Sequence, residues 1–174
     1  MLENFIPDEY QKSVYTIDYK KLKKLGIKCL LFDLDNTLVP CSVDKPNKKV
    51  KDLFAELEDM GFKLIIVSNS PRKRLTPFKE ILNVDTAARA FKPRKEKYLK
   101  IMKEYKFEPE QIAAIGDQLM TDILGANRVG VRSILVNPIS NVDFAITGIN
   151  RFAEARIMKK LHKRDLFTKG KYYE

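Results

Sequence analysis

The chain has few of the residues on which many enzymes and small secreted domains depend. It holds one histidine, His162, and two cysteines, Cys29 and Cys41. The cysteines form no CxxC pair and have no histidines near them in the chain, so neither a disulfide framework nor a zinc site is predicted. Any catalysis by a histidine base would depend on His162 alone. Because this residue lies in a basic stretch near the C-terminus, we expect it to be a solvated surface residue.

Long apolar runs are also absent. No run approaches the roughly 18 apolar residues of a membrane-spanning helix. The N-terminal stretch has acids and tyrosines where a secretory signal would have a basic segment and an apolar block. We therefore expect a cytoplasmic protein. Its 174 residues, 44% of them hydrophobic, are enough for one domain with a sizeable core.

Acidic residues are outnumbered, and the net charge is +10. Residues 72–106 hold 12 Lys and Arg against 4 Asp and Glu, and residues 149–174 hold 8 against 3. These zones are either solvated helix faces or surfaces for an anionic partner. Such a partner would be a phosphate-bearing substrate, nucleic acid or an anionic membrane.

Short apolar runs alternate with helix-like stretches along the chain. Strand-like runs occur at 27–32, 63–67, 112–115 and 133–136, with a weaker one at 86–91. Between them lie helical patterns at 48–61, 72–82, 95–105 and 119–130. This βαβ order predicts an α/β fold with a parallel sheet and a ligand crevice at the carboxyl ends of the strands. We assign residues 1–26 to an N-terminal arm, 27–136 to the core and 149–174 to a basic C-terminal helix and tail.

Two acids, Asp33 and Asp35, follow the first predicted strand in "LLFDLDNTLVP". Side chains two apart on an extended chain point the same way. Two carboxylates this close are costly to ionise unless a cation lies between them. Mg²⁺, which takes few protein oxygens plus a substrate phosphate, would resolve the conflict. The alternative is that Asp33 caps a turn and Asn36 starts a loop.

Three other predicted strands also end in polar side chains. Small hydroxyl and amide groups, a lysine before a proline, and a further pair of acids could bind phosphoryl oxygens or metal. Each has a structural alternative, as a helix cap, a surface charge or a turn residue. In chain order these side chains are Ser68, Asn69 and Ser70, then Lys92, then Asp117 and Asp122 after Gly116.

Four segments resemble motifs I to IV of the haloacid dehalogenase (HAD) superfamily of phosphohydrolases. They are "DLDNT" at 33–37, "VSNS" at 67–70, "KP" at 92–93 and "GDQLMTD" at 116–122. The resemblance implies a Rossmann-like three-layer sandwich with a mainly parallel sheet of about five strands. It also implies Mg²⁺-dependent phosphotransfer through an aspartyl-phosphate.

The resemblance assigns a role to each acid of these motifs. Asp33 would be the nucleophile, and Asp35 the general acid that protonates the leaving alcohol and then the base that activates water. Mg²⁺ would be held by the Asp33 carboxylate, the Asp35 main-chain carbonyl and Asp117, with Asp122 in support. Thr37 would position Asp35.

The remaining motif residues would bind the phosphoryl group. Ser68, the backbone of Asn69 and Lys92 would contact its oxygens, and the lysine would neutralise charge on the covalent intermediate. Gly116 would support the site beside Asp117.

The spacing of the motifs leaves no room for the cap domain that many members of the superfamily insert. The interval from Asp35 to Ser68 is nearly filled by one loop and one helix, and the interval from Ser68 to Lys92 is shorter still. An open site suits a substrate that is large, is held on a surface, or is closed off by a partner.

The flanking segments resemble the YqeG-type phosphatases of the capless subfamily IIIA. They are the stretch from "FIPDEYQKSVY" to the first motif, "GDQLMTDILGANRVG", and "NR" at 150–151 in the terminal helix. This branch is similar to the mitochondrial phosphatidylglycerophosphate phosphatase of fungi, which implies an anionic lipid headgroup as substrate.

The terminal helix predicted at 149–166 has an apolar stripe with basic residues beside it. The helix could lie on an anionic bilayer, or the stripe could pack on its own domain. We favour packing. The stripe comprises Ile149, Phe152, Ala153, Ile157 and Leu161.

Three functions are compatible with the sequence. The first is a phosphatase for phosphatidylglycerophosphate at the inner face of a membrane. The second has the same chemistry with a soluble sugar phosphate, a nucleotide or a nucleic-acid end as substrate. The third is a binding module for RNA or the ribosome in which catalysis is vestigial, although no stacking-aromatic motif of an RNA-binding fold is evident.

Overall fold

The chain folds around one parallel sheet of six strands. The computed structural model describes residues 2–141 and 145–174, with only the helical backbone given for 145–150. The order across the sheet is β1-β6-β5-β2-β3-β4, and every neighbouring pair is parallel. The strands are β1 (Glu9–Gln11), β2 (Cys29–Phe32), β3 (Lys63–Val67), β4 (Asp85–Ala87), β5 (Ile112–Gly116) and β6 (Arg132–Val136).

Helices connect the strands and cover both faces of the sheet. The described residues form six α-helices: α1 (Tyr19–Lys24), α2 (Lys48–Asp59), α3 (Arg72–Leu82), α4 (Glu96–Tyr105), α5 (Leu124–Arg128) and α6 (Ala145–Lys163). Short 3₁₀ turns lie at Glu3–Phe5 and Pro109–Gln111, and a single π-helical turn spans Leu119–Ile123.

Alternate residues of the central strands belong to two separate cores. Leu30 and Phe32 of β2 pack on one face against α2 and α3, whereas Leu31 packs on the other face against Tyr98 of α4 and Ala126 of α5. Burial on both faces explains why these strands are continuous apolar runs. The predicted α/β sandwich with a mainly parallel sheet is confirmed.

α2 shows how the sequence specifies a crossover helix. The Asn47 side chain accepts the Val50 N–H (3.0 Å) and caps the first turn. Val50, Leu53 and Leu57 recur at helical spacing and are buried against the sheet. All residues between Asp35 and Lys92 are described, and they form loops, α2, β3, α3 and β4 with no inserted cap domain.

The sheet has one strand more than the five expected, because β1 lies in the predicted N-terminal arm. Its sequence, Glu-Tyr-Gln, shows no apolar run, so no strand was predicted there. Pairing with β6 and a bridge to the C-terminus hold it in the sheet: Tyr10 N–H donates to Tyr173 O (2.8 Å), and Tyr173 N–H donates to Tyr10 O (3.0 Å).

Two other elements differ from the prediction. The weak run at 86–91 forms a strand only over Asp85–Ala87, and the following residues are a loop in which Arg89 and Phe91 have positive φ. The helix predicted at 119–130 is a π-turn followed by the short α5. Both differences lie next to the carboxyl edge of the sheet. The irregular backbone there carries the polar side chains that meet at this edge.

The terminal helix packs on the domain at the β1–β6 edge. Leu161 is fully buried beside Tyr10 and Leu135, and Ile157 packs on the same cluster. The interpretation of the stripe as a packing face is therefore correct for these residues. It is wrong for Phe152, which is 65% exposed. Ile149 lies outside the described side chains.

His162 is exposed, as predicted, and its Nδ1 lies 3.1 Å from Thr168 Oγ1. Among the described helices, α6 included, none combines the length and apolarity that a membrane crossing requires.

Truncation of Leu161 to alanine should destabilise the protein by about 2–5 kcal/mol, because a buried leucine loses its contacts and leaves a cavity. Leu166→Ala is the matched control, since Leu166 is 40% exposed and should change stability by less than about 0.5 kcal/mol. Urea unfolding measures both. Equal losses in the two variants would mean that α6 is not docked through Leu161.

Candidate active site

Four parallel strands bring polar side chains to one edge of the sheet. Asp33 directly follows β2, Ser68 follows β3, Lys92 follows β4 after a short loop, and Asp117 follows β5. Because these strands run parallel, their carboxyl ends share an edge. The structure therefore places these four predicted site residues together.

Three carboxylates form a cluster at this edge. Asp33, Asp117 and Asp122 each present an oxygen, and the three oxygens lie within 4.8 Å of one another. The Asp117 and Asp122 side chains are almost completely buried. Hard oxygen donors at this spacing are the ligands that Mg²⁺ prefers. The donor set fits a divalent cation, and Asp122, expected to support the site, is also paired with Lys92.

Burial and mutual repulsion raise the pKa values of two acids of the cluster, Asp33 and Asp117. Burial raises the pKa of Asp33 well above its usual range; Lys92 opposes this shift, and Asp122 and Asp117 add to it. Burial and Asp122 raise the pKa of Asp117 in the same way, against the effect of Arg151. A cation among these oxygens would favour their ionised forms.

Lys92 supplies one positive charge to the cluster. Its Nζ donates to Asp33 Oδ1 (2.7 Å), Asp122 Oδ1 (2.6 Å) and Val67 O (2.9 Å). Burial alone would lower the pKa of Lys92, but the Asp122 and Asp33 carboxylates outweigh it and raise the pKa above its ordinary value. Lys92 is therefore a buried ammonium paired with two carboxylates rather than a solvated surface charge.

The loop that carries Lys92 is braced by Asn69. Lys92 N–H donates to Asn69 Oδ1 (2.7 Å), and Asn69 Nδ2 donates to Lys92 O (3.2 Å). Next to it, the buried Ser68 accepts the Ser70 N–H through Oγ (3.1 Å). The side chain of Asn69 is thus used to brace the loop, and contact of its backbone with a phosphoryl oxygen stays a prediction.

Gly116 allows the Asp122 carboxylate to approach the backbone at the end of β5. A Cβ at this position would lie 2.2 Å from Asp122 Cγ, far inside van der Waals contact. Asp122 in turn accepts the Gln118 N–H at Oδ2 (3.1 Å). Glycine is required here because a carboxylate passes directly over the backbone at the end of β5.

Asp35 is not one of the three clustered acids; it is held by Ser70, which was expected to bind phosphoryl oxygens, and by Arg74, to which the sequence assigned no role. Arg74 of α3 donates to Asp35 Oδ1 from Nε (3.1 Å) and Nη2 (2.9 Å), and Ser70 Oγ donates to Oδ2 (2.8 Å). Arg74 also donates from Nη1 to Val43 O. Nothing in the local pattern marks Arg74, because its role depends on how α3 is rotated against the sheet.

Thr37 does not position Asp35, contrary to the expectation. Its Oγ1 donates to Asp117 Oδ1 (3.0 Å) and lies 3.4 Å from Asp33 Oδ2. Asn36 has a φ of 64°, which ends the extended chain after Asp35. The alternation of side chains therefore stops before Thr37, and its hydroxyl points into the carboxylate cluster.

The terminal helix contributes two further residues that were missed. Arg151 donates from Nη2 to Asp117 Oδ2 (2.6 Å), and Glu154 Oε1 accepts the Leu119 N–H (2.8 Å). Burial raises the pKa of Glu154 to about 7. In the sequence, Arg151 was marked only by the dipeptide "NR" at 150–151, which is part of the family resemblance. That resemblance assigned no role to Arg151. α6 is thus part of the site as well as a packing element.

Comparisons with known proteins identify similar sequences and structures. A profile of the haloacid dehalogenase-like hydrolases matches residues 40–130. A Bacillus subtilis (strain 168) protein named probable phosphatase YqeG is 38% identical over 162 residues, which cover 92% of this chain and 93% of that protein.

More distant relatives are longer proteins. Phosphatidylglycerophosphate phosphatase 1 of Chlamydomonas reinhardtii (chloroplastic) and that of Arabidopsis thaliana (chloroplastic/mitochondrial) are each 26% identical. The matches cover 79% and 91% of this chain but only 55% and 49% of those proteins. The chain thus spans about half the length of these two relatives.

Solved structures share the fold. A Legionella pneumophila protein assigned to HAD subfamily III A matches with a TM-score of 0.53 at 21% identity, covering 70% of this chain and 72% of that one. D,D-heptose 1.7-bisphosphate phosphatase from B. bronchiseptica, solved with magnesium and phosphate, matches with a TM-score of 0.53 at 17% identity, covering 63% and 80%. These structures share the fold, and the match to YqeG together with the family profile shows that the chain belongs to the haloacid dehalogenase-like hydrolases.

Proposed function

We propose that the protein is a Mg²⁺-dependent phosphomonoester hydrolase that works through an aspartyl-phosphate. The observation that carries the proposal is the cluster of Asp33, Asp117 and Asp122 around the buried ammonium of Lys92. A nucleophilic carboxylate, metal-ligating oxygens and a fixed cation at one edge are what phosphoryl transfer requires.

In the first step, an oxygen of Asp33 attacks phosphorus, and the bond from phosphorus to the ester oxygen breaks. Asp35 gives its proton to the leaving alcohol. The Lys92 ammonium, 2.7 Å from Asp33 Oδ1, balances negative charge on the transferred group. Ser68 Oγ and the Asn69 N–H bind phosphoryl oxygens.

In the second step, water attacks phosphorus and Asp35 takes its proton. The bond between phosphorus and the Asp33 oxygen breaks, which releases phosphate and restores the carboxylate. Arg74 and Ser70, which donate to the two oxygens of Asp35, would position the carboxylate that takes this proton.

Mg²⁺ would be held by Asp33, the Asp35 carbonyl and Asp117, with Asp122 beside them. When bound, it would neutralise charge on the phosphoryl oxygens and on the buried acids. Arg151 and Thr37 hold the two oxygens of Asp117 (2.6 Å and 3.0 Å) and would orient it for this task.

For the substrate, we propose phosphatidylglycerophosphate or a related anionic phosphate ester. Two relatives carry phosphatidylglycerophosphate phosphatase in their names. The open, capless edge and the net charge of +10 also suit a large anionic substrate held at a surface. A basic terminal helix beside the site would favour peripheral contact with an anionic membrane.

Two other functions give different experimental outcomes. A soluble sugar phosphate, nucleotide or nucleic-acid end would use the same site chemistry. An RNA-associated module with vestigial catalysis would bind RNA with strong salt dependence, but the intact acid cluster favours an enzyme.

Phosphate release with Mg²⁺ tests the proposal on a panel of esters. It contains phosphatidylglycerophosphate in mixed micelles, glycerol phosphate, sugar phosphates, nucleotides and an aryl phosphate. We expect the lipid to be hydrolysed fastest by orders of magnitude. Asp33→Asn should lose about 10³-fold or more on every ester because the nucleophile is gone.

Asp52→Asn is the matched control, because this exposed acid of α2 pairs only with Lys48 among the contacts described for its side chain. It should keep full activity. If only the aryl phosphate is hydrolysed, the proposed phosphatase reaction is retained and phosphatidylglycerophosphate is rejected as the substrate. Near-normal activity of Asp33→Asn would reject the nucleophile.

Asp117→Asn should act mainly on the metal. The variant keeps one oxygen for Thr37 or the ion but loses the charge, so the half-saturating Mg²⁺ concentration should rise at least about tenfold. A titration of activity against Mg²⁺ measures this shift, and excess Mg²⁺ should restore part of the rate. If no concentration restores any activity, Asp117 does more than hold the metal.

A further inference from the structure

The carboxyl edge carries large apolar side chains that face solvent around the site. Phe152 and Phe91 are 65% and 61% exposed, the largest values among the described large apolar side chains, and Ile139 is 47% exposed. We call Phe91, Ile139 and Phe152 the rim. Single exposed apolar residues are common on protein surfaces, so the position of these three is what matters.

Each rim residue is tied to a residue of the site. Phe91 directly precedes Lys92, whose Nζ contacts Asp33. Phe152 directly follows Arg151, which pairs with Asp117. The Ile139 N–H donates to Asn36 O (2.9 Å) in the turn after Asp35. The rim residues therefore lie on three separate segments, each adjoining a residue of the site or the turn after Asp35.

Exposed cations accompany the rim. The Arg156 guanidinium lies 4.7 Å from the centre of the Phe152 ring. Arg89 N–H donates to Ser70 O, and Lys73 lines a cleft beside Ser70 and Asp44. The exposed basic residues on the segments of this edge are Arg72, Lys73, Arg89, Arg94, Lys95 and Arg156, against the exposed acids Asp44 and Glu96.

We propose that the rim and these cations dock the carboxyl edge on an anionic lipid bilayer. Aromatic and aliphatic side chains would enter the boundary between headgroups and acyl chains, and the cations would contact anionic headgroups. Docking in this direction presents the open site to phosphate at the surface of the bilayer. The inference rests on the proposed lipid phosphatase function and names the surface that it uses.

A bilayer fits this edge better than a protein partner does. The apolar side chains stand singly on separate segments and are interspersed with basic residues, whereas a protein interface typically presents a contiguous apolar core depleted of charge. The docking surface is also distinct from the stripe of α6, since Leu161 is buried. Among the stripe residues whose side chains are described, Phe152 is the one that is highly exposed, and it belongs to the rim.

The absence of tryptophan from the sequence allows a direct test. Phe91→Trp and Phe152→Trp each introduce a single fluorescent reporter at the rim. Leu25→Trp is the matched control, because Leu25 is 52% exposed but lies before β2, at the opposite end of the strands. Each variant is mixed with vesicles of phosphatidylglycerol and phosphatidylcholine or of phosphatidylcholine alone.

With phosphatidylglycerol vesicles, both rim reporters should shift to shorter emission wavelength and be quenched by brominated acyl chains, whereas the Leu25→Trp reporter should show neither effect. The shift should be lost with phosphatidylcholine alone, and also at 1 M salt, where the Debye length falls to about 3 Å. Unchanged emission at the rim, or an equal change at all three positions, would overturn the proposal.

The failure of docking and the failure of the lipid phosphatase function give different results. Rim reporters that do not insert, in a protein that still hydrolyses an aryl phosphate, reject the membrane surface alone. Rim reporters that insert, in a protein that does not hydrolyse phosphatidylglycerophosphate, support the surface and reject the substrate. Binding of RNA in place of vesicles would assign the cations to a nucleic acid and overturn the proposal.

Discussion

Three carboxylates within reach of one another, two of them buried, are the constraint on which the rest of the structure depends. Like charges in a poorly solvated place are costly unless cations neutralise them. The protein supplies two, Lys92 from the loop after β4 and Arg151 from α6. A divalent cation would complete the neutralisation when the site is loaded. Residues distant in the chain therefore meet at this edge because the acids require them there.

This constraint links stability to function through α6. Leu161 anchors the helix on the β1–β6 edge, and the same helix carries Arg151 to Asp117 and Glu154 to the Leu119 N–H. The outer strand β1 and the C-terminal Tyr173 close that edge. Both ends of the chain therefore support the end of β5, where Asp117 lies.

The sequence was sufficient for those parts of the molecule that depend on local patterns. Continuous apolar runs predict the central strands, apolar residues at helical spacing predict α2 and α3, and the acids after β2 and β5 identify the edge. β1 could not be found, because Glu9 and Gln11 are polar and become buried only through pairing. A three-residue strand without an apolar run leaves no periodic signal.

The partners of the site residues were less predictable. The contact of Thr37 with Asp117 depends on the positive φ of Asn36, and Arg74 reaches Asp35 only because of the rotation of α3. Phe152 fits the apolar spacing of α6 yet faces solvent beside the site. Periodicity specifies which face of a helix is apolar. It does not specify where along the helix the packing partner ends.

The proposed division of work between Asp33 and Asp35 can be tested in one measurement. In Asp35→Asn, an aryl phosphate needs no proton on its leaving group, so the first step should proceed while water activation fails. Acid-quenched protein digested for mass spectrometry should then carry a phosphoryl group on the peptide that contains Asp33. A phosphoryl group on another residue, or none in a variant that still turns over, would contradict the account.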